Sequence, residues 1–154
     1  MNKPTILLID DEPEVLATLS CLLEDDYNVL SAANGKEGLS LASSNQLSLI
    51  LLDLNMPEMT GIQFLQFFRN AGNNTPVMVI TGNSSHDWAK RCADLNVQGY
   101  IEKPFDVERL LSRINMLVHV ERSLYYAPNR KHEGSDRWDP TSYGKNFSDD
   151  GADA

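Results

Sequence analysis

The chain has 154 residues, 42% of them apolar, which is room for one ordinary domain with a packed core plus a tail. Its formal charge of −9 argues against a general nucleic-acid or anionic-membrane surface, since phosphate-rich partners demand a basic patch. No apolar run approaches the length that crosses a bilayer, and the N-terminus "MNKPTILLIDDE" lacks a cleavage-type signal, so a cytoplasmic protein with no membrane contact is expected.

Strand and helix patterns alternate five times. Thr5–Ile9 reads as the first strand. A helix follows from about Pro13 to Glu24, with Val15, Leu16, Leu19, Leu22 and Leu23 on one face. Asn28–Ala32 is a second, weaker strand, and Asn34-Gly35 turns the chain into a short helix carrying Leu39 and Ala42 inward. "LSLILLD" (47–53) is the most apolar strand and reads as central. After the loop "LNMPEMTG" comes a helix holding Ile62, Leu65 and Phe68. Gly72–Thr75 is turn-forming, and Pro76 opens the strand "PVMVIT". Ser84 or Ser85 caps the next predicted helix, which presents Trp88, Cys92 and Leu95 at spacings of four and three. "VQGYIEK" is the fifth strand. The last helix starts near Asp106 with the stripe Val107, Leu110, Leu111, Ile114, Leu117 and Val118.

Strands separated by helices imply βαβ units and a parallel sheet with right-handed crossovers. Five such units make an α/β, flavodoxin-like, doubly wound five-stranded sheet of order 2-1-3-4-5 with five helices. The ordered domain spans 1–124. From residue 125 to 154 the composition turns to Gly, Pro, Ser, Asn and Asp with no apolar period, and four Lys/Arg against six Asp/Glu leave that segment at −2. It reads as a disordered polar tail. Its aromatics Tyr126, Trp138, Tyr143 and Phe147 are spaced like contact points for a partner. Cys21 and Cys92 fall in helical patterns and read as small buried hydrophobes; with His86, His119 and His132 scattered, no zinc site is supported.

Three strings describe one site. Asp10-Asp11, Asp53 and Lys103-Pro104 each close an apolar strand, and the carboxyl ends of such strands line the ligand crevice of an open α/β sheet. Strand order 2-1-3-4-5 brings Asp10-Asp11 beside Asp53. Three crowded carboxylates repel unless cations sit among them, and a hard divalent ion plus the Lys103 ammonium is the economical answer. A carboxylate sharing those cations with an incoming group is well placed to accept a phosphoryl.

The strings "LLIDDEP", "LILLDLNMPEMTG", "VMVITG" and "GYIEKPF", in this order and spacing, make residues 4–122 resemble the receiver domain of bacterial two-component response regulators, of the chemotaxis-regulator type. The resemblance implies that Asp53 attacks the phosphorus of a phosphohistidine on a sensor histidine kinase or phosphotransfer protein, forming an acyl phosphate. Asp11 then binds Mg²⁺ directly, Asp10 mostly through water, Asp53 joins them, and the Asn55 backbone carbonyl supplies a further oxygen. Lys103 reaches a phosphoryl oxygen, and its bond to Pro104 is cis. Thr81 hydrogen-bonds the new phosphoryl as Tyr100 swings inward. The signal leaves through the face of the fourth helix, fifth strand and fifth helix, toward a downstream protein target or a second copy of the chain; its mixed charge (Lys90, Arg91, Arg109, Arg113 against Asp94, Glu102, Glu108) does not suit direct nucleic-acid contact. Asn55 and Asn83 flank the approach of hydrolytic water, and Gly82 stands where alanine is frequent, leaving more room over the acceptor. Glu12 is read as beginning the first helix, where its charge suits the dipole. Met56-Pro57 and Gly61 shape the loop.

Such a protein catalyses only its own phosphorylation and dephosphorylation and is not otherwise an enzyme. A Mg²⁺-dependent phosphatase with an aspartyl nucleophile would need a second acid two residues after Asp53, where this chain has Asn55. A nucleotide-binding domain would want a glycine-rich turn where Asp10-Asp11-Glu12-Pro13 stands. A stand-alone regulator acting by protein contact is favoured over the receiver fragment of a longer regulator whose output domain is absent.

Overall fold

The computed structural model describes residues 3–82 and 86–126, with side chains over 3–82 and 90–119. Five strands, β1 (Thr5–Ile9), β2 (Asn28–Ala32), β3 (Leu49–Leu52), β4 (Val77–Thr81) and β5 (Gly99–Glu102), alternate with α1 (Pro13–Leu23), α2 (Gly35–Ser44), α3 (Gly61–Asn70), α4 (His86–Asp94) and α5 (Val107–Tyr126). The sheet is parallel throughout, in the order β2-β1-β3-β4-β5, as the sequence predicts. Asp53 lies one residue past β3, yet its N–H still donates to the Ile9 carbonyl at 2.9 Å. The loop after β3 therefore departs from a fixed point. The cap expected at Ser84 or Ser85, Asn83, and the tail over 127–154 lie outside the described residues.

Alternation along the strands builds two cores, one on each face of the sheet. Leu7, Ile9, Ile50, Leu52, Val77 and Val79 face a cluster with Ala42, Phe64, Phe68 and Cys92 from α2, α3 and α4. Ile6, Leu8, Leu49, Leu51, Met78 and Ile80 face Leu19, Leu23, Leu110, Ile114 and Val118 from α1 and α5. Phe64, absent from the predicted α3 stripe, is fully buried and stacks on Phe68 at 5.4 Å.

Two readings are corrected. Cys21 is exposed, because it sits about 200° around α1 from Leu19 and so on the opposite side from the buried stripe. Val107 is also exposed, since it opens α5 before the helix reaches the sheet. Cys92 is buried as expected, and burial pushes its thiol up to about 12, which keeps it inert.

Helix starts fix the loops around the crevice. Thr60 and Gln63 form a reciprocal capping box at α3. The Asn34 side chain accepts from the Glu37 N–H at α2, and Asp106 accepts from the Arg109 N–H at α5. Gly61 opens α3 hard against the preceding loop: a Cβ there would collide with the Asp53 carbonyl and the Leu54 Cα. No helix among the described residues is long and apolar enough to cross a membrane.

Candidate functional site

The predicted residues converge at the carboxyl ends of β1, β3, β4 and β5. Asp10, Asp53 and Thr81 are the buried polar residues of the described chain, at 4%, 3% and 0% exposure. Carboxylate oxygens of Asp10, Asp11, Glu12 and Asp53 all lie within 4.8 Å of one another. The sequence reading counted three of these and gave Glu12 to the helix. Glu12 does precede α1, but its side chain makes no cap bond there and turns to the cluster instead.

Lys103 answers this charge. Its Nζ lies 2.8 Å from Asp10 Oδ2, 3.3 Å from Glu12 Oε1 and 3.5 Å from Asp53 Oδ2, so one ammonium faces three carboxylates. The Lys103 N–H donates to the Thr81 carbonyl at 2.9 Å, which pins the lysine backbone beside the end of β4. The Lys103–Pro104 peptide is cis.

Both oxygens of Asp10 are engaged: Oδ1 accepts from the Glu12 N–H at 2.9 Å and Oδ2 from Lys103. Asp53 Oδ1 accepts from the Asn55 N–H at 3.2 Å, leaving Oδ2 toward Lys103. Burial, helped by the charges of Asp10 and Asp11, pushes the Asp53 carboxyl up to about 6 against the lowering effects of the Asn55 bond and Lys103. Burial would also lower the Lys103 ammonium, but the hydrogen bond to Asp10 and the charges of Asp53 and Asp10 outweigh it and hold it above its usual value.

Four carboxylates against one ammonium leave an excess of negative charge, and an all-oxygen donor set is what a hard divalent cation takes. The residues therefore fit Mg²⁺. Asp11 makes no hydrogen bond or ion pair with any described residue, so its oxygens suit direct ligation. Asp10, held at both oxygens, suits a contact through water.

Thr81 lies with Val77 and Val79 on the α3/α4 side of the sheet, and the register pairs Val79 with Tyr100 and Thr81 with Glu102. Thr81 and Tyr100 are therefore diagonal neighbours on one face. Tyr100 is already inside, 7% exposed and packed in the α2/α3/α4 core, so the inward swing implied by the resemblance starts from a ring that is inward here. The Thr81 hydroxyl accepts from the Asn55 side-chain amide at 3.2 Å, a contact the sequence did not reveal. Among the described residues, a Cβ added at Gly82 would meet only the Lys103 Cβ, at 3.9 Å.

A five-stranded parallel sheet that gathers acids from two adjacent strand ends around a lysine from the edge defines a receiver architecture. Residues 6–115 match the response regulator receiver domain, and the chain belongs to that family. It is 35% identical over 114 residues to the cell cycle transcriptional regulator CtrA of Caulobacter vibrioides, covering 73% of this chain and 49% of that protein. It is 36% identical over 115 residues to the transcriptional regulatory protein YkoG of Bacillus subtilis, covering 74% of this chain and 50% of that protein. The chain thus spans about half the length of these curated relatives. Among solved structures, the Vibrio cholerae chemotaxis protein CheY4 superposes with a TM-score of 0.71 at 30% identity, covering 75% of this chain and 98% of that one. A CheY-like receiver protein of Methanospirillum hungatei gives 0.76 at 25% identity, covering 79% and 98%. Receiver domains are typically phosphoproteins that bind Mg²⁺ and interact with histidine kinases and downstream effectors.

Proposed function

We propose that this chain is a phosphoacceptor response regulator of a two-component relay and that Asp53 is its acceptor. One observation carries the reading: Asp53 is buried at the mouth of the crevice with Oδ1 held by the Asn55 N–H and Oδ2 turned toward Lys103. In the transfer, a carboxylate oxygen of Asp53 bonds to phosphorus as the phosphorus–nitrogen bond of a phosphohistidine breaks, and the electron pair leaves on the imidazole nitrogen. Phosphoryl transfer asks chiefly for in-line positioning and charge neutralisation. Lys103 contributes a point charge to a phosphoryl oxygen. Asp10, Asp11, Asp53 and the Asn55 carbonyl would hold Mg²⁺, which would neutralise charge on the phosphoryl oxygens. Thr81 then donates its hydroxyl to the phosphoryl, and Tyr100 repacks beside it. The change is read on α4, β5 and α5 by a protein target or a second copy.

Incubation with Mg²⁺ and acetyl phosphate should raise the intact mass by one phosphoryl group, and Asp53→Asn should abolish the gain. Normal labelling of that variant would overturn the assignment.

A second reading concerns output. YkoG and CtrA are named as transcriptional regulators and are about twice the matched length, which supports a receiver that feeds a separate output module. The native stop codon of the encoding gene distinguishes this from a stand-alone regulator.

A further inference from the structure

Asn55 connects two parts of the site with two different groups. Its backbone N–H donates to Asp53 Oδ1 at 3.2 Å, and its side-chain amide donates to Thr81 Oγ1 at 3.2 Å. Asp53 follows β3 and Thr81 ends β4, two strands that pair directly, so the loop leaving β3 runs beside the end of β4. The Asp53 backbone is tied to β1 through the Ile9 carbonyl, and Gly61 packs against the Asp53 carbonyl on the far side of the loop. The Asn55 amide is therefore presented from an anchored loop, whereas Thr81 is the last residue of its strand.

We propose that Asn55 is a positioning residue: its side-chain amide restrains the Thr81 hydroxyl in the unphosphorylated protein, and the bond is lost as Thr81 moves to donate to a phosphoryl on Asp53. This rests on the phosphoacceptor reading above. A hydroxyl oxygen that accepts from a fixed amide is restrained in place. A net bond of this kind contributes about 0.5–1.5 kcal/mol, so releasing it should favour the switched state by about 2- to 10-fold. Asn55 thereby opposes premature switching and sets how strongly occupancy of Asp53 is transmitted to α4 and β5.

The test is a double-mutant cycle in the full chain, with Asn55→Ala, Thr81→Val and the double variant titrated with beryllofluoride and Mg²⁺ by calorimetry. In the Thr81 background Asn55→Ala should tighten binding, and about 2- to 10-fold of that effect should vanish in the Thr81→Val background. Equal effects in both backgrounds would overturn the positioning role, because Asn55 would then act on the acceptor alone. A second readout needs no phosphoryl mimic. The Asn55 side-chain amide resonances of the unphosphorylated protein should shift in Thr81→Val and stay near their original positions in Thr81→Ser, which keeps the hydroxyl. Resonances indifferent to loss of the hydroxyl would overturn it as well. A wild-type chain that binds no beryllofluoride would sink the phosphoacceptor reading and this role with it, whereas intact binding without coupling sinks this role alone.

Discussion

Lys103 Nζ lies nearer to Asp10 Oδ2, at 2.8 Å, than to Asp53 Oδ2, at 3.5 Å. The lysine is thus parked on Asp10 and Glu12, a short reach from Asp53, where it offsets a crowded set of acids. Removing one partner of a buried ionic group leaves the others uncompensated. Lys103→Ala should therefore destabilise the metal-free protein by about 1–3 kcal/mol at neutral pH, discounted for the partial exposure of the lysine head. Added Mg²⁺ should restore part of the loss. Urea unfolding with and without Mg²⁺ checks both statements.

Asp53 has a pH signature. Its folded carboxyl stands at about 6 against an ordinary 3.8, so the fold favours the protonated form. That contribution is whole below pH 3.8 and is lost as pH rises through about 6, by on the order of 3 kcal/mol. Asp53→Asn should make the metal-free protein more stable than wild type at pH 7.5, by about 1–3 kcal/mol. The gap should close below pH 4. Denaturation midpoints at both pH values decide it; a variant less stable than wild type at pH 7.5 contradicts the burial argument.

The acidic cluster should couple Mg²⁺ to folding. A ligand at 100 times its dissociation constant adds about 2.7 kcal/mol to a site that exists only in the folded state. Millimolar Mg²⁺ should raise the melting temperature of the native chain by several degrees. Asp11→Asn should remove most of that rise while lifting the metal-free melting temperature, since one repelling charge has gone. A melting temperature indifferent to Mg²⁺ in the wild type would show that the cluster does not hold the ion.

Thr81→Ala should leave labelling of Asp53 largely intact and uncouple it from the signalling face. Amide exchange with and without beryllofluoride should show protection changes across α4, β5 and α5 in the wild type and only around Asp53 in the variant. Changes confined to the surroundings of Asp53 in both proteins would remove the switch while sparing the acceptor.

Arg69 holds the opposite end of the sheet together. Its guanidinium donates to the carbonyls of Asn73, Thr75, Leu95 and Asn96 at 2.8–3.0 Å and lies over the Phe68 ring at 5.6 Å. This joins α3 to the loops before β4 and β5. Arg69→Ala should cost on the order of 3 kcal/mol, because several carbonyls lose one donor at once. Arg69→Lys should recover less than half, as a point charge cannot match a planar fork. Denaturant midpoints give the comparison.

The strand-closing acids were legible because a parallel sheet makes the ends of apolar runs converge: "LLIDD", "LILLD" and "GYIEK" supply both the strands and the charges that terminate them. The apolar runs also located the strands and helices, since alternation and helix period are local properties, and the order 2-1-3-4-5 came from the doubly wound fold that their alternation implies. Other features depend on which side chain meets which, and only the assembled molecule decides that. Glu12 enters the carboxylate cluster because Lys103, 91 residues on, draws it away from capping α1. Cys21 is exposed because helix rotation, not composition, sets its side. Tyr100 is inward because the α2/α3/α4 core already encloses its ring. The Asn55–Thr81 bond and the Arg69 bonds to Leu95 and Asn96 join residues 26 or more apart through groups that carry no periodic signal. A hydrogen bond forms only when donor and acceptor come within about 3 Å, and that proximity is created by packing the sheet, not by any spacing along the chain.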